Sequence, residues 1–348
     1  MAGWLSATPD GERRIQASLK MSDASLHRLL VCRAPRPNRF LADVSTIAAY
    51  VGVERTALAA ALREATVLAA LGSREMSRSE EADDGLVGLL AAARDTAAEQ
   101  LPDSEAATAV RELAQSTWQA APPEVRDRRD VQAALVWASP VAVVSLPQLQ
   151  FAMVNRWLVD RGAPPLPDSI GDLRGLLVAW RSQAVIFVDG TLPEADFRLT
   201  LAHEHGHLLL DYLVPRQRVL REEPALLEVL DGRRRPTNAD RARAALARAP
   251  LGLHTHLLHR HNDGGAAETT IRVEDSASSY ALELLAPWEE LLTLLRGQPQ
   301  PQPVSYPKRL AAAAEAAADH FNLPPDAAEV RARAGLTALG IRPGFFNR

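Results

Sequence analysis

The sequence predicts an α+β fold: a small sheet in the middle of the chain, with mainly helical N- and C-terminal parts. Two observations carry this. Residues 175–180 and 184–190 are short, almost wholly apolar runs separated by Arg181-Ser182, as two strands joined by a tight turn would be. On either side, apolar residues recur at three- and four-residue spacing through long segments, which is the helical period.

Taken in order, residues 1–75 form a first helical unit. Residues 23–30 read as a short capped helix. Residues 45–62 have the rhythm of a helix-turn-helix: Ile47, Ala48 and Val51 pack one helix, Gly52 makes the turn, and Leu58 and Leu62 pack the second. The stretch resembles the helix-turn-helix of bacterial regulators, which makes DNA a candidate partner. Arg55 and Arg63 either face phosphate and base edges or lie on solvated helix faces. Residues 76–130 read as a polar, acidic linker around 77–85 followed by a helical hairpin (86–101 and 104–121) closed by Pro122-Pro123. A central domain spans 131–300. It opens with an amphipathic helix at 149–161, broken by Pro164-Pro165, and carries an insertion at about 214–265. The second strand of the pair is expected to offer an edge on which an extended substrate could add as a further strand. Residues 301–348 form a C-terminal helical pair, a lid or a support.

The chemistry begins at Leu201-Ala202-His203-Glu204-His205-Gly206-His207-Leu208-Leu209. A helix advances roughly 100° per residue, so His203 and His207 stand about 40° apart on one face, one turn apart. Two imidazoles so placed can grip one Zn2+ ion, and Glu204 beside them can act on an attacking water as general base. The flanks are apolar, so both histidines are buried, where unpaired imidazoles are costly. His205 projects about 200° from His203 and cannot join the same metal.

A third ligand must come from elsewhere, and the best candidate is Glu274. Ala277, Tyr280, Ala281, Leu284 and Leu285 recur at helical spacing behind it, Pro287 ends the helix, and Glu274 falls in its first turn. Asp275 is the next alternative and Glu283 a weaker one. His/His/Glu ligation leaves a fourth coordination position open, as catalytic sites require.

Residues 198–209 resemble the Arg-Phe-Thr-Leu-Ala-His-Glu-x-Gly-His-x-Leu-Leu helix of the ImmA/IrrE family of bacterial metallopeptidases, with Leu199 in place of Phe. Residues 274–287 match that family's Glu-x-x-Ala-Asn-x-Phe-Ala-x-x-Leu-Leu-Met-Pro helix in register, with Ser278 for Asn, Tyr280 for Phe and Ala286 for Met. The resemblance covers residues 145–340. It implies a minimal zincin-like peptidase domain in which His203, His207 and Glu274 hold zinc and Glu204 is the catalytic base. It also implies a cytoplasmic enzyme that cleaves a specific protein, such as a transcriptional repressor controlling stress or mobile-element genes. The chain departs from the pattern at His205, where an apolar residue is usual, and in the long gap between His207 and Glu274. The rival reading is a DNA-binding regulator whose zinc domain senses a signal without cleaving.

The insertion ends in a tract where four of the chain's nine histidines, His254, His256, His259 and His261, fall within eight residues before Gly264-Gly265. It reads as an exposed polar turn, as a second metal site, or as the source of a hydrogen-bond donor to the oxyanion of peptide hydrolysis. His254 and His256 are the preferred donors. The remaining composition is restrictive. Cys32 is the only cysteine, which excludes a disulfide framework and fits a reducing compartment. No signal-like or membrane-length apolar run is present. A net charge of −4 exerts no global pull toward nucleic acid. Basic charge is almost all Arg, with only Lys20 and Lys308, so Arg runs argue little for DNA contact.

Overall fold

The computed structural model describes residues 11–73, 103–167, 172–259, 268–297 and 305–342. Helices α1 (Gly11–Ser18), α2 (Asp23–Val31), α3 (Phe40–Val51) and α4 (Arg55–Gly72) come first, then α5 (Asp103–Ala120), α6 (Pro123–Asp127) and α7 (Val131–Ala138). Strand β1 (Val141–Leu146) is followed by α8 (Phe151–Val159), then by β2 (Leu173–Trp180) and β3 (Gln183–Asp189). Helix α9 (Glu194–His207) runs through a π-helical turn, Leu208–Leu213, into α10 (Val214–Glu222). The short α11 (Leu227–Leu230) and α12 (Asn238–Leu246) lead to β4 (His254–His259). Helices α13 (Glu268–Leu285), α14 (Trp288–Gly297), α15 (Tyr306–Phe321) and α16 (Pro325–Ala338) follow. The protein is thus mixed α/β, mostly helical, with a small four-stranded sheet.

The sheet has the order β1-β3-β2-β4; β1 runs parallel to β3, and the other two pairings are antiparallel. Its two middle strands read as continuous apolar runs because both faces are covered. Leu177, Ala179, Ile186 and Val188 face one core with Leu201, Ala202 and Tyr280 of α9 and α13. Leu176, Val178, Val185 and Phe187 face the other, with Val154, Trp157 and Leu158 of α8. The β2–β3 turn is made by two non-glycine residues in the left-handed region, Arg181 at φ 51° and Ser182 at φ 60°. Both are tethered: Arg181 Nε donates to the Asp231 carbonyl at 2.8 Å, and the Ser182 N–H to the Tyr212 hydroxyl at 3.1 Å.

Four expectations change. Gly52 does end a helix at φ 80°, but residues 1–75 do not form a separately packed unit. Helix α4 packs its first half on α1–α3 through Leu58, Ala59 and Leu62, and its second half on the sheet through Val67, Leu68 and Leu71. Arg63 does not lie on a solvated helix face: its guanidinium lies 3.7 Å from the Phe40 ring centroid and its Nε donates to the Val136 carbonyl. Arg55 is ion-paired with Glu124. Burial lowers the Arg63 pKa to about 10. The start of the histidine tract is not a turn: His254–His259 form β4, a strand of the main sheet, while Val219, Leu226, Val229 and Leu230 of the insertion form a small core of their own. Finally, β3 has neighbours on both sides, so the strand before α9 offers no edge; among the described residues the edge beside the site belongs to β4.

The C-terminal pair is packed into the main core. Phe321, Ala328, Ala332 and Leu336 join the main core with Leu291 and Leu295. The expected linker at 77–85, helix at 86–101 and Gly264-Gly265 turn lie outside the described residues. Among the described residues, no helix is long and apolar enough to cross a membrane.

Candidate metal centre

Helix α9 starts after Pro193 with Glu194 and Asp196 in its first turn, where carboxylates favour the helix dipole. Its far end is buried from Thr200 to His207. Arg198 Nη1 donates to the carbonyls of Phe321 and Asn322, both at 3.0 Å, and so ties the helix to the C-terminus of α15. Two glycines set its distance from its neighbours. A Cβ on Gly206 would lie 3.0 Å from Ala277 Cα, so α9 and α13 pack almost backbone to backbone. A Cβ on Gly175 would lie 2.8 Å from Glu204 Oε1, so β2 leaves the space that Glu204 fills.

That packing brings His203 and His207 of α9, Glu274 of α13 and His256 of β4 together, with one ligand atom of each lying within 4.8 Å of the others. His203 Nε2 and His207 Nε2 are 3.1 Å apart. Glu274 Oε2 is 3.2 Å from the first and 3.8 Å from the second. The His256 ring stacks on His207 with centroids 3.5 Å apart. Its Nδ1 meets Glu204 Oε2 at 3.0 Å and its Nε2 meets Glu274 Oε1 at 2.9 Å. Glu204 is fully buried, and its Oε1 has no hydrogen-bond partner among the described residues.

The donor chemistry fits a metal cation. The Asp211 carboxylate, 2.7 Å from His207 Nδ1, can only accept, so Nδ1 carries the proton and the Nε2 lone pair faces inward. It is aimed at a second imidazole nitrogen and at Glu274, an arrangement that a cation in the middle satisfies. Imidazole and carboxylate donors together suit a first-row ion such as zinc. The surrounding charge is consistent. Burial opposes a charge on His256, but its hydrogen bonds to Glu204 and Glu274 prevail and raise its pKa to about 10. Hydrogen bonds from His203, His207 and His256 hold Glu274 far below the usual carboxylate range. Burial likewise opposes charge on His207, and its contacts with Asp211 and Glu274 turn the net shift upward.

Of the residues singled out from sequence, His203, Glu204, His207, Glu274 and His256 meet here. Glu274 does so from the second turn of α13, not the first, because that helix already begins at Glu268. Asp275 is exposed, and Glu283 is ion-paired with Arg331 at the other end of the helix. His254 shares a strand face with His256, opposite Ala179 where His256 is opposite Leu177, but it stacks on Tyr212 and is not one of the four converging residues. His205 is fully buried between the Ser139 hydroxyl and the Tyr280 hydroxyl, each at 2.8 Å, and burial lowers its pKa to about 3. Two residues were missed. Asp211 could have been found from its place four residues after His207. Ser278, whose Oγ is 3.3 Å from His203 Nδ1, follows from its place four residues after Glu274. Comparisons of the chain with protein-family models, with curated proteins and with solved structures return no match.

Proposed function

We propose that the chain is a zinc-dependent endopeptidase of the ImmA/IrrE type, with a zincin-like central domain, acting in the cytoplasm on a specific protein such as a transcriptional repressor. The observation that carries this is the placement of Glu204: a wholly buried carboxylate, one oxygen without a partner among the described residues, directly against a three-histidine, one-glutamate donor set. His203, His207 and Glu274 would hold the ion. Bound there, it would supply Lewis acidity, polarising a peptide carbonyl and making water a better nucleophile near neutrality. Glu204 takes the proton of the attacking water and returns it to the leaving amine. Gly175 keeps that carboxylate in place. His256, beside both carboxylates, would turn one ring N–H from its carboxylate to the oxyanion as the substrate binds. The edge of β4, without a further strand among the described residues, would let an extended substrate pair beside His256.

A second reading has its own observation. All four ligand atoms lie close enough to bind one ion, so His256 as a fourth ligand would close the site and suit a sensor or regulator that does not cleave. Substitution of His256 separates the two. In a peptidase, H256Q keeps its metal and loses hydrolysis; in a closed site, H256Q loses the metal. The substrate assignment is tested by incubating the zinc-loaded chain with repressors encoded beside its gene and reading fragments by mass spectrometry. Cleavage by the wild type and not by E204Q supports it, and identical products from both contradict it.

A further inference from the structure

We propose that Asp211 is a positioning residue of the metal site, a carboxylate that fixes His207 as the tautomer whose Nε2 lone pair faces the ion. This rests on the metal reading given above. Asp211 Oδ2 lies 2.7 Å from His207 Nδ1. A metal-binding histidine whose other nitrogen is held by a carboxylate is oriented before the ion arrives and is a more basic ligand.

An exposed carboxylate four residues from a histidine would by itself be an ordinary helix-surface pair, contributing about 0.5 kcal/mol. Three features set this one apart. His207 is buried, with only 1% of its side chain exposed, and its ring is held between His203 and His256, so its remaining nitrogen has few partners to choose from. The two α9 histidines are treated unequally: His203 Nδ1 has a neutral hydroxyl, Ser278, at the longer distance of 3.3 Å. At Nδ1, the nitrogen turned away from the other ligands, only His207 of the two meets a carboxylate. The helix also changes to π-helical geometry at Leu208, between the two partners, and π turns occur often at functional sites. Tyr212 anchors that turn, fully buried and accepting from the Ser182 N–H, so Asp211 is held between two fixed residues.

The test is zinc affinity of the full chain, stripped of metal and titrated against a chromophoric chelator, with thermal unfolding of the metal-free protein alongside. D211N is expected to weaken zinc binding by about 10–100-fold while leaving the metal-free unfolding midpoint unchanged. D211E, which restores the charge on a longer stem, is expected to recover part of the loss. A shifted visible spectrum of cobalt-loaded D211N would report the altered ligand field directly. D211S supplies the same comparison should D211N lose its fold. Wild-type zinc affinity in D211N overturns the proposal, as does a loss matched by an equal fall in metal-free stability. A wild-type chain that takes up no zinc overturns the metal reading itself, before any variant is compared.

Discussion

Gly175 and Glu204 occupy space that only a glycine on β2 can share: an added Cβ would stand 2.8 Å from Glu204 Oε1 and 2.9 Å from Thr200 Cγ2. The proposed general base is therefore seated by a residue on a different element that has no side chain. G175A should leave the metal donors in place and push the Glu204 carboxylate aside. Misplacing a catalytic group by about 1 Å can cost on the order of 100-fold in rate. The expected result is normal metal content with hydrolysis reduced at least tenfold, measured by metal analysis and peptide turnover on the same preparation.

E204Q should fold, bind metal and be inert. The amide cannot accept the proton of the attacking water, and positioned general bases contribute about 10²–10⁴-fold. Retained turnover would assign the base to another group.

His205 acts in the fold, although it lies beside Glu204 in the sequence. It bridges Ser139 of the segment before β1 and Tyr280 of α13, and Tyr280 in turn meets Thr117 of α5 at 2.9 Å. H205L takes away the partner of a buried Ser139 hydroxyl, at a cost of about 1–3 kcal/mol. The unfolding midpoint should fall while zinc stoichiometry holds.

Removing residues 1–75 should unfold the remainder. Val67, Leu68 and Leu71 are buried against the sheet, and at about 1.5–3 kcal/mol for each such side chain their loss approaches the whole stability of a typical domain. Circular dichroism of the truncated chain checks this; a cooperative transition at the full-length midpoint would contradict it. R63A should likewise lower stability, since Arg63 is spent on Phe40 and Val136.

Much of the site was legible because its chemistry is local. His203, Glu204 and His207 are fixed by spacing within one helix, and Glu274 stands in register with the apolar stripe of another. His256 was singled out together with His254 as a candidate donor, and the tract alone did not separate the two. The role of His256 depends on β4 joining the sheet next to β2, a pairing between residues far apart in sequence that no local pattern encodes. The same limit explains α4: its apolar period announces a helix, but the period is the same whether the stripe faces a neighbouring helix or a sheet. Here it faces each in turn, and what read as a separate unit is packed into the central core.

The most direct measurement is the appearance of new peptide termini when the metal-loaded full-length chain is incubated with a complex peptide library, compared with E204Q carrying the same metal content. The account predicts termini made by the wild type, absent with E204Q, abolished by chelation and restored by zinc. A wild-type chain carrying one zinc per molecule that produces no termini beyond those of E204Q would contradict it.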